Sequence, residues 1–136
     1  MTKKEYLRQG YKIRMSIKNE EEVLKELGEN LDGLQALHNS EKLQGGPVKD
    51  DSRFIEKVNK IIRIEQEIYR KIGELKAFQA KLYQEIEMLK EPTEQVLMRS
   101  RYILNLTWEE IAERIGYSVM QTHRIHKKAL ENFRFF

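Results

Sequence analysis

The chain has 136 residues, of which 35% are charged and 40% hydrophobic, and its formal net charge is +3. Two prolines and seven glycines disfavour a loop-rich β fold. The lack of cysteine excludes disulfides, thiolate zinc sites and cysteine nucleophiles. No apolar run approaches the roughly 18 residues that cross a bilayer, and charged residues interrupt the start of the chain where a secretory signal would be apolar. We therefore expect a cytoplasmic, helical protein without membrane contact.

Charge is unevenly distributed along the N-terminal part of the chain. The first 18 residues carry six basic side chains and one acidic one, whereas residues 19–51 carry nine acidic and three basic ones. The basic block could attract a polyanion. Pairing of the two blocks along neighbouring helices is the interpretation that we favour, because charged helix faces are usually solvated surfaces.

Residues 3–41 carry a heptad pattern that predicts a first long helix. Its aliphatic positions, spaced by three and four, are Ile13, Ile17, Leu24, Leu27, Leu31 and Leu34. Glu20 interrupts this stripe. The cluster Gln44-Gly45-Gly46-Pro47 predicts the end of the helical segment, because glycine and proline break helices.

Residues 52–90 carry a second heptad pattern, with Asp50, Asp51 and Ser52 as candidate N-caps. All five d positions are aliphatic: Ile61, Ile68, Leu75, Leu82 and Leu89. The a positions are Val58, Glu65, Ile72, Gln79 and Ile86. Further apolar residues widen the stripe, which indicates more than one partner helix: Ile62, Tyr69, Phe78 and Tyr83. Two helices of similar length predict an antiparallel hairpin, and because a lone hairpin buries little, we expect a homo-oligomer.

Glu91-Pro92-Thr93 marks a boundary, because proline cannot continue a helix and Thr93 can cap the next one. We predict two domains: residues 1–91 as an oligomerising hairpin and residues 93–136 as a compact module. The module contains a short helix ending before Asn105, a capping box from Thr107 to Glu110, and Gly116 at a helix C-cap. These signals predict a helix-turn-helix. The predicted fold class is all-α: a long antiparallel hairpin or coiled coil followed by a three-helix module.

The last helix, which begins after Ser118, divides into two faces. Thr122, Ile125, Ala129 and Phe133 recur at helical spacing and should face the core. The opposite face carries Val119, Met120, His123, Arg124 and Lys127. Because the first turns of a recognition helix meet base edges in the major groove, this face is the predicted contact with double-stranded DNA. An amphipathic helix with cationic residues at its C-terminus is the alternative.

The segments LTWEEIAERIGYS (residues 106–118) and RIHKKALENF (residues 124–133) resemble the fourth conserved region of bacterial sigma factors. That region binds the −35 promoter element and the flap of RNA polymerase. The resemblance covers about a third of the chain. In its whole layout the chain resembles a family of small phage and prophage proteins from Gram-positive bacteria, similar to the ArpU and RinA groups of late-gene transcription regulators.

The resemblance implies roles for particular side chains. Val119, Met120 and His123 occupy the base-reading positions, and Gln121 and Arg124 lie near phosphates or flanking bases. The remaining implied or predicted DNA contacts are Arg101, Thr107, Lys127 and Lys128. Sigma factors usually carry Arg and Glu where this chain has Val119, Met120 and His123, which argues against a standard −35 target. Residues 1–92 lack the basic and aromatic region that melts promoters, so the chain should act beside a resident sigma factor or on an operator.

Other functions are less well supported by the sequence. No nucleophile elbow or phosphate-binding glycine loop is present, so we expect neither an enzyme nor a cofactor. His123 and His126 lie three apart but have no evident third ligand, so we expect no metal; their titration near neutral pH could tune DNA binding. Trp108 should pack on the core, while Phe135 and Phe136 could pack on the hairpin or contact polymerase. An oligomeric DNA-packaging adaptor or a scaffold is the alternative function.

Overall fold

The computed structural model describes the backbone of residues 1–43 and 52–136 and the side chains of residues 1–29 and 52–136. These residues form helices and no strand, which confirms the all-α prediction. The helices are α1 (Lys3–Leu7), α2 (Gln9–Leu43), α3 (Ser52–Glu87), α4 (Pro92–Tyr102), α5 (Trp108–Ile115) and α6 (Val119–Asn132). None of these helices, within the described ranges, has a stretch long and apolar enough to cross a membrane. The predicted break at residues 44–47 and the cap candidates Asp50 and Asp51 lie outside the described residues.

The long helices α2 and α3 pair in antiparallel fashion. Lys71 of α3 donates to the Ser16 hydroxyl of α2 at 2.6 Å and forms a salt bridge with Glu20. Glu20, which interrupts the apolar stripe, is therefore accommodated by an ion pair with the partner helix. Two turns further along α3, a Cβ on Gly10 would lie 3.2 Å from the ring of Phe78, so the backbone of α2 approaches α3 closely there.

The burial pattern of α3 follows the predicted heptads. Every predicted d position is buried or half-buried, and so are four of the five a positions; Glu65 is exposed. In α2, Ile17 is buried, and Ile13, Leu24 and Leu27 are half-buried, whereas the side chains of Leu31 and Leu34 lie outside the described set. Ile62, Tyr69 and Tyr83, which widen the stripe, are exposed in the single chain.

The chain divides into two compact units that do not coincide with the sequence pattern. One unit comprises Met1–Arg14 together with Glu74–Phe136, and the other comprises Met15–Gly73. The buried cluster of the first unit contains ten residues, of which Leu97, Met98, Ile111, Ala129 and Phe133 follow Pro92. The other five precede Pro92: Tyr6, Leu7, Leu82, Ile86 and Leu89. Half of the cluster therefore comes from residues that precede Pro92, while the functional division at Pro92 stays a prediction.

The N-terminal segment is held by specific contacts inside the first unit. A capping box between Thr2 and Glu5 begins α1, and a turn at Arg8 separates α1 from α2, so the single helix predicted from residue 3 is interrupted there. The Tyr6 hydroxyl donates to the buried Glu85 carboxylate. Burial is the main cause that raises the pKa of Tyr6, and the Glu85 contact adds to it.

The basic N-terminal block contacts the C-terminal helices. Lys3 donates to the carbonyl oxygens of Leu130 and Glu131 at 2.8 and 3.2 Å, and Arg14 donates to that of Ile103 at 2.8 Å. A cation at the last carbonyls of α6 is favoured by the helix dipole. Our expectation that this block pairs with the acidic block is therefore wrong for Lys3 and Arg14.

The junction between α3 and α4 is closed by Gln95. Its side-chain amide donates to the carbonyl oxygens of Glu87 and Leu89 at 3.3 and 2.6 Å, which satisfies the C-terminus of α3. Pro92 is the first residue of α4, and the N-cap position is Glu91, without a side-chain cap. Thr93 lies inside the first turn, so the prediction that it caps this helix is wrong. Proline at that position is favoured because its missing amide would be unsatisfied in any case.

Candidate nucleic-acid interface

Helices α4, α5 and α6 pack pairwise against one another. A capping box between Thr107 and Glu110 begins α5, and Gly116 ends it in the left-handed conformation with φ 76°. Ser118 and Gln121 form a second capping box at the start of α6. Because each helix end is satisfied locally, the turn from Gly116 to Ser118 is fixed and holds α6 at a defined angle to α5.

Helix α6 has one buried and one exposed face, as its sequence pattern predicts. Thr122, Ala129 and Phe133 are fully buried, and the Thr122 hydroxyl donates to the Ser118 carbonyl at 2.8 Å. On the opposite face Val119 is 38% exposed and Met120 67% exposed. The five polar side chains of α6 that were predicted to contact DNA are also exposed: Gln121, His123, Arg124, Lys127 and Lys128. The structure thus brings these seven predicted DNA contacts onto one helix surface.

Two of the predicted contacts, Thr107 and Gln121, take part in the capping boxes of the free protein. The Thr107 hydroxyl accepts from the Glu110 amide, and the Thr107 amide donates to the Glu110 carboxylate at 3.2 Å. A phosphate at the Thr107 amide would have to displace that carboxylate, while the hydroxyl proton remains able to donate. Gln121 is held similarly, since its side-chain oxygen accepts from the Ser118 amide at 3.2 Å.

The Arg101 side chain lies beside the start of α5 and contacts the ring of Trp108. Its guanidinium carbon is 4.5 Å from the Trp108 ring centroid, and it donates to the Leu106 carbonyl at 3.0 Å. Trp108 itself is half-buried against the core cluster, which confirms the prediction that it packs there.

The two histidines of α6 differ in environment. The centroid of the exposed His123 ring lies 4.4 Å from that of Trp108. His126 is half-buried, and its Nε2 shares a hydrogen bond with the Tyr102 hydroxyl at 2.6 Å. Burial is the main cause that lowers the pKa of His126 to about 4, and the charges of His123, Arg101 and Lys4 lower it further. His126 is therefore neutral near pH 7, and the expectation that both histidines titrate there is wrong for His126.

The Tyr102–His126 pair was missed by the sequence analysis. The only signal for it was that His126 lies beside the core stripe of α6, which by itself does not identify Tyr102. No group of three or more His, Asp or Glu side chains in the described part of the chain is arranged to hold a metal ion.

The C-terminal aromatic residues pack on the N-terminal segment and on α3. The Phe135 ring stacks on Tyr6 with centroids 4.2 Å apart, and the Phe136 amide donates to Glu85 at 2.8 Å. Phe135 therefore fastens the end of the chain to Tyr6, while the Phe136 side chain remains exposed. Of the two roles that the sequence left open for Phe135, packing on the long-helix part of the chain is the one observed.

These three helices, with a glycine-containing turn and a two-faced second helix, define a helix-turn-helix of the DNA-binding class. Comparison with protein families supports the helix-turn-helix class and indicates which kind of helix-turn-helix it is. Residues 89–134 match the family model described as Sigma-70, region 4, so the C-terminal third has the sigma-like character that its motifs predicted. Searches of curated proteins and of solved structures gave no match.

Proposed function

We propose that the protein is a phage-encoded transcription regulator of late genes that binds promoter DNA through α6 and contacts host RNA polymerase. One observation carries the DNA-binding part: the face of α6 opposite its buried side is exposed and cationic, on a scaffold that matches sigma-70 region 4. The late-gene assignment rests on the resemblance of the chain's layout to the ArpU and RinA groups of regulators. The polymerase contact is supported by the match to sigma-70 region 4, because region 4 of sigma factors binds the polymerase flap.

The residue roles follow from position on α6. Val119, Met120 and His123 read base edges, Arg124 contacts a phosphate or flanking base, and Lys127 and Lys128 add positive field. Apolar side chains read the methyl group of thymine, but they cannot make the paired hydrogen bonds that an arginine makes to guanine. The preferred site is therefore rich in thymine on the strand that faces Val119 and Met120.

The test uses duplexes selected by the full chain from a randomised pool, with affinity measured at several salt concentrations. His123→Ala combined with Arg124→Ala should abolish the preference for selected over scrambled duplex. Arg63→Ala, on an exposed position of α3, is the matched control and should leave the preference intact. Unchanged preference in the double variant would show that this face of α6 does not read DNA. Selection of a sequence from a packaging site, in place of a promoter, would favour the packaging adaptor.

The proposed thymine contacts have their own test. Replacing thymine by uracil in the selected duplex removes only the methyl group and should weaken wild-type binding by about 1 kcal/mol per contacted base, within the range for a specific base contact. Val119→Ala and Met120→Ala variants should bind the two duplexes more nearly alike. Equal wild-type affinity for both duplexes would contradict methyl readout.

We also propose that the chain forms a homo-oligomer through the hairpin, with a second copy of the chain covering α3. Ile55, Ile62 and Tyr69 are spaced by seven residues along α3 and are 55%, 45% and 73% exposed. An exposed stripe at heptad spacing is typical of a helix with a further partner. Ile62→Glu should shift the sedimentation coefficient to that of a monomer, whereas Lys60→Glu, an exposed position two residues away on α3, should not. A wild-type protein that sediments as a monomer at all concentrations would refute the proposal.

A further inference from the structure

A cavity of about 490 Å³ lies inside the first compact unit, beside the start of α5. Lys4 and Arg8 from the N-terminal segment line it, together with Arg101 at the end of α4. None of the described residues that line the cavity is acidic. Three cations thus converge on one concave surface whose walls carry no carboxylate, and such a surface attracts an anion.

Aromatic rings lie against two of the three cations. The Arg101 guanidinium lies over the ring of Trp108, and the Arg8 guanidinium carbon is 6.0 Å from the centroid of Tyr11. Both rings also line the cavity. A ring face orients a guanidinium without neutralising its charge. One N–H group of Arg101 donates to the Leu106 carbonyl, and its other N–H groups remain able to bind an anion. Lys4 and Arg8 are themselves exposed, so a large polyanion can reach them.

The cavity adjoins the surface proposed to read bases. Trp108 lines the cavity, and its ring also contacts the exposed His123 of α6. The sugar-phosphate strands border the major groove, so a duplex whose base edges reach His123 carries a strand past Trp108. The phosphates of that strand are the anions nearest to the cavity.

We propose that this cavity binds a phosphodiester of the DNA backbone, which makes Lys4 and Arg8 of the N-terminal segment part of the DNA-binding surface. The proposal rests on the proposed function, since it needs a duplex on α6. It assigns to the first helices a role in positioning DNA that is separate from sequence readout. Phosphate contacts fix the register of the protein on the duplex and carry no sequence information.

The test compares Lys4→Gln combined with Arg8→Gln against Lys12→Gln combined with Lys18→Gln. All four residues belong to the same basic block, and Lys12 and Lys18 do not line the cavity. The first pair should weaken binding to selected and scrambled duplexes by the same factor, about tenfold. It should also make the slope of log affinity against log salt shallower by about 0.9, as expected for loss of one phosphate contact. The second pair should leave slope and affinity near their wild-type values. Far-UV circular dichroism and thermal midpoints establish that both variants remain folded.

The outcomes separate the two proposals. The cavity proposal would be overturned if the Lys4→Gln, Arg8→Gln variant kept the wild-type affinity and salt slope. If the His123→Ala, Arg124→Ala variant still lost its sequence preference in that case, the proposed function would stand. A wild-type chain that binds no duplex even at low salt would overturn the proposed function and this inference with it. The only tryptophan, Trp108, lines the cavity, so its fluorescence reports a small ligand directly. A further outcome is that a mononucleotide quenches the Trp108 fluorescence of the wild-type chain saturably and fails to do so in the Lys4→Gln, Arg8→Gln variant. If the DNA affinity of that variant were unchanged, the cavity would bind a free phosphate ligand and the backbone contact would be overturned.

Discussion

The shared core between the helix-turn-helix and α3 is tested by Leu82→Ala. Leu82 is fully buried and belongs to the same cluster as Leu97 and Phe133. The substitution removes three carbon atoms, worth about 0.8 kcal/mol each as buried hydrocarbon. A partly collapsed cavity adds to this transfer cost, so the free energy of unfolding should fall by about 3–4 kcal/mol.

The measurement is urea unfolding followed by the fluorescence of Trp108, which packs on this cluster. With a denaturant slope of about 1.5 kcal/mol per molar urea, a loss of about 3 kcal/mol lowers the Trp108 midpoint by about 2 M. Met88→Ala, at an exposed position just after α3, is the control and should shift the midpoint by less than about 0.5 M. An unchanged Trp108 midpoint in Leu82→Ala would show that residues 93–136 fold without α3, and the shared core would be wrong.

Three further predictions concern particular contacts. Tyr6→Phe removes the hydroxyl that donates to buried Glu85 and should lower the free energy of unfolding by about 2 kcal/mol in thermal or urea melts. A Tyr6→Phe variant as stable as the wild type would show that water solvates the Glu85 carboxylate in solution. Gly116→Ala places a Cβ at φ 76° and should cost about 1 kcal/mol, with Arg114→Ala in the preceding helix as a near-neutral control. The pKa of His126 is about 4 in the folded chain against 6.5 ordinarily, so below pH 6.5 the unfolded chain binds a proton that the folded chain does not. The contribution of the neutral His126 ring to the free energy of unfolding is fully present above about pH 6.5 and is lost as the pH falls toward 4. Because the ring is only partly buried, the effect should be about 1–2 kcal/mol. His126→Gln should flatten this part of the stability–pH curve, and an equally steep curve in the variant would assign the dependence to other groups.

The local signals in the C-terminal third allowed its helices to be predicted closely from sequence. A capping box is formed by residues three apart, and a left-handed C-cap needs only a glycine at one position. Thr107 with Glu110, and Gly116, therefore fixed the bounds of α5 without knowledge of any distant contact. The heptads of α3 were equally readable, because period and burial agree along the whole helix.

Contacts between distant residues could not be read in the same way. Glu85 lies outside the apolar stripe, and a carboxylate is almost never fully buried unless it has partners. Its partners are Tyr6 and Phe136, which lie 79 and 51 positions away in the chain. The cavity lined by Lys4, Arg8 and Arg101 depends on the same packing of α1. The basic charge of residues 1–18 therefore could not predict which helices these residues contact.

The packing of α1 and α3 on the C-terminal helices separates two ways in which a substitution in residues 1–91 can change DNA binding. A helix-turn-helix reads DNA only if α6 is held firmly against α5, and here Leu7 and Ile86 belong to the cluster that holds them. Changes at these buried positions should lower DNA affinity through stability and should shift the Trp108 unfolding midpoint. Changes at exposed Ile62 should act through assembly and alter sedimentation, while changes at Lys4 and Arg8 should alter the salt dependence of binding with the fold intact. Because each class of residue has a readout of its own, a loss of DNA binding can be traced to its physical cause.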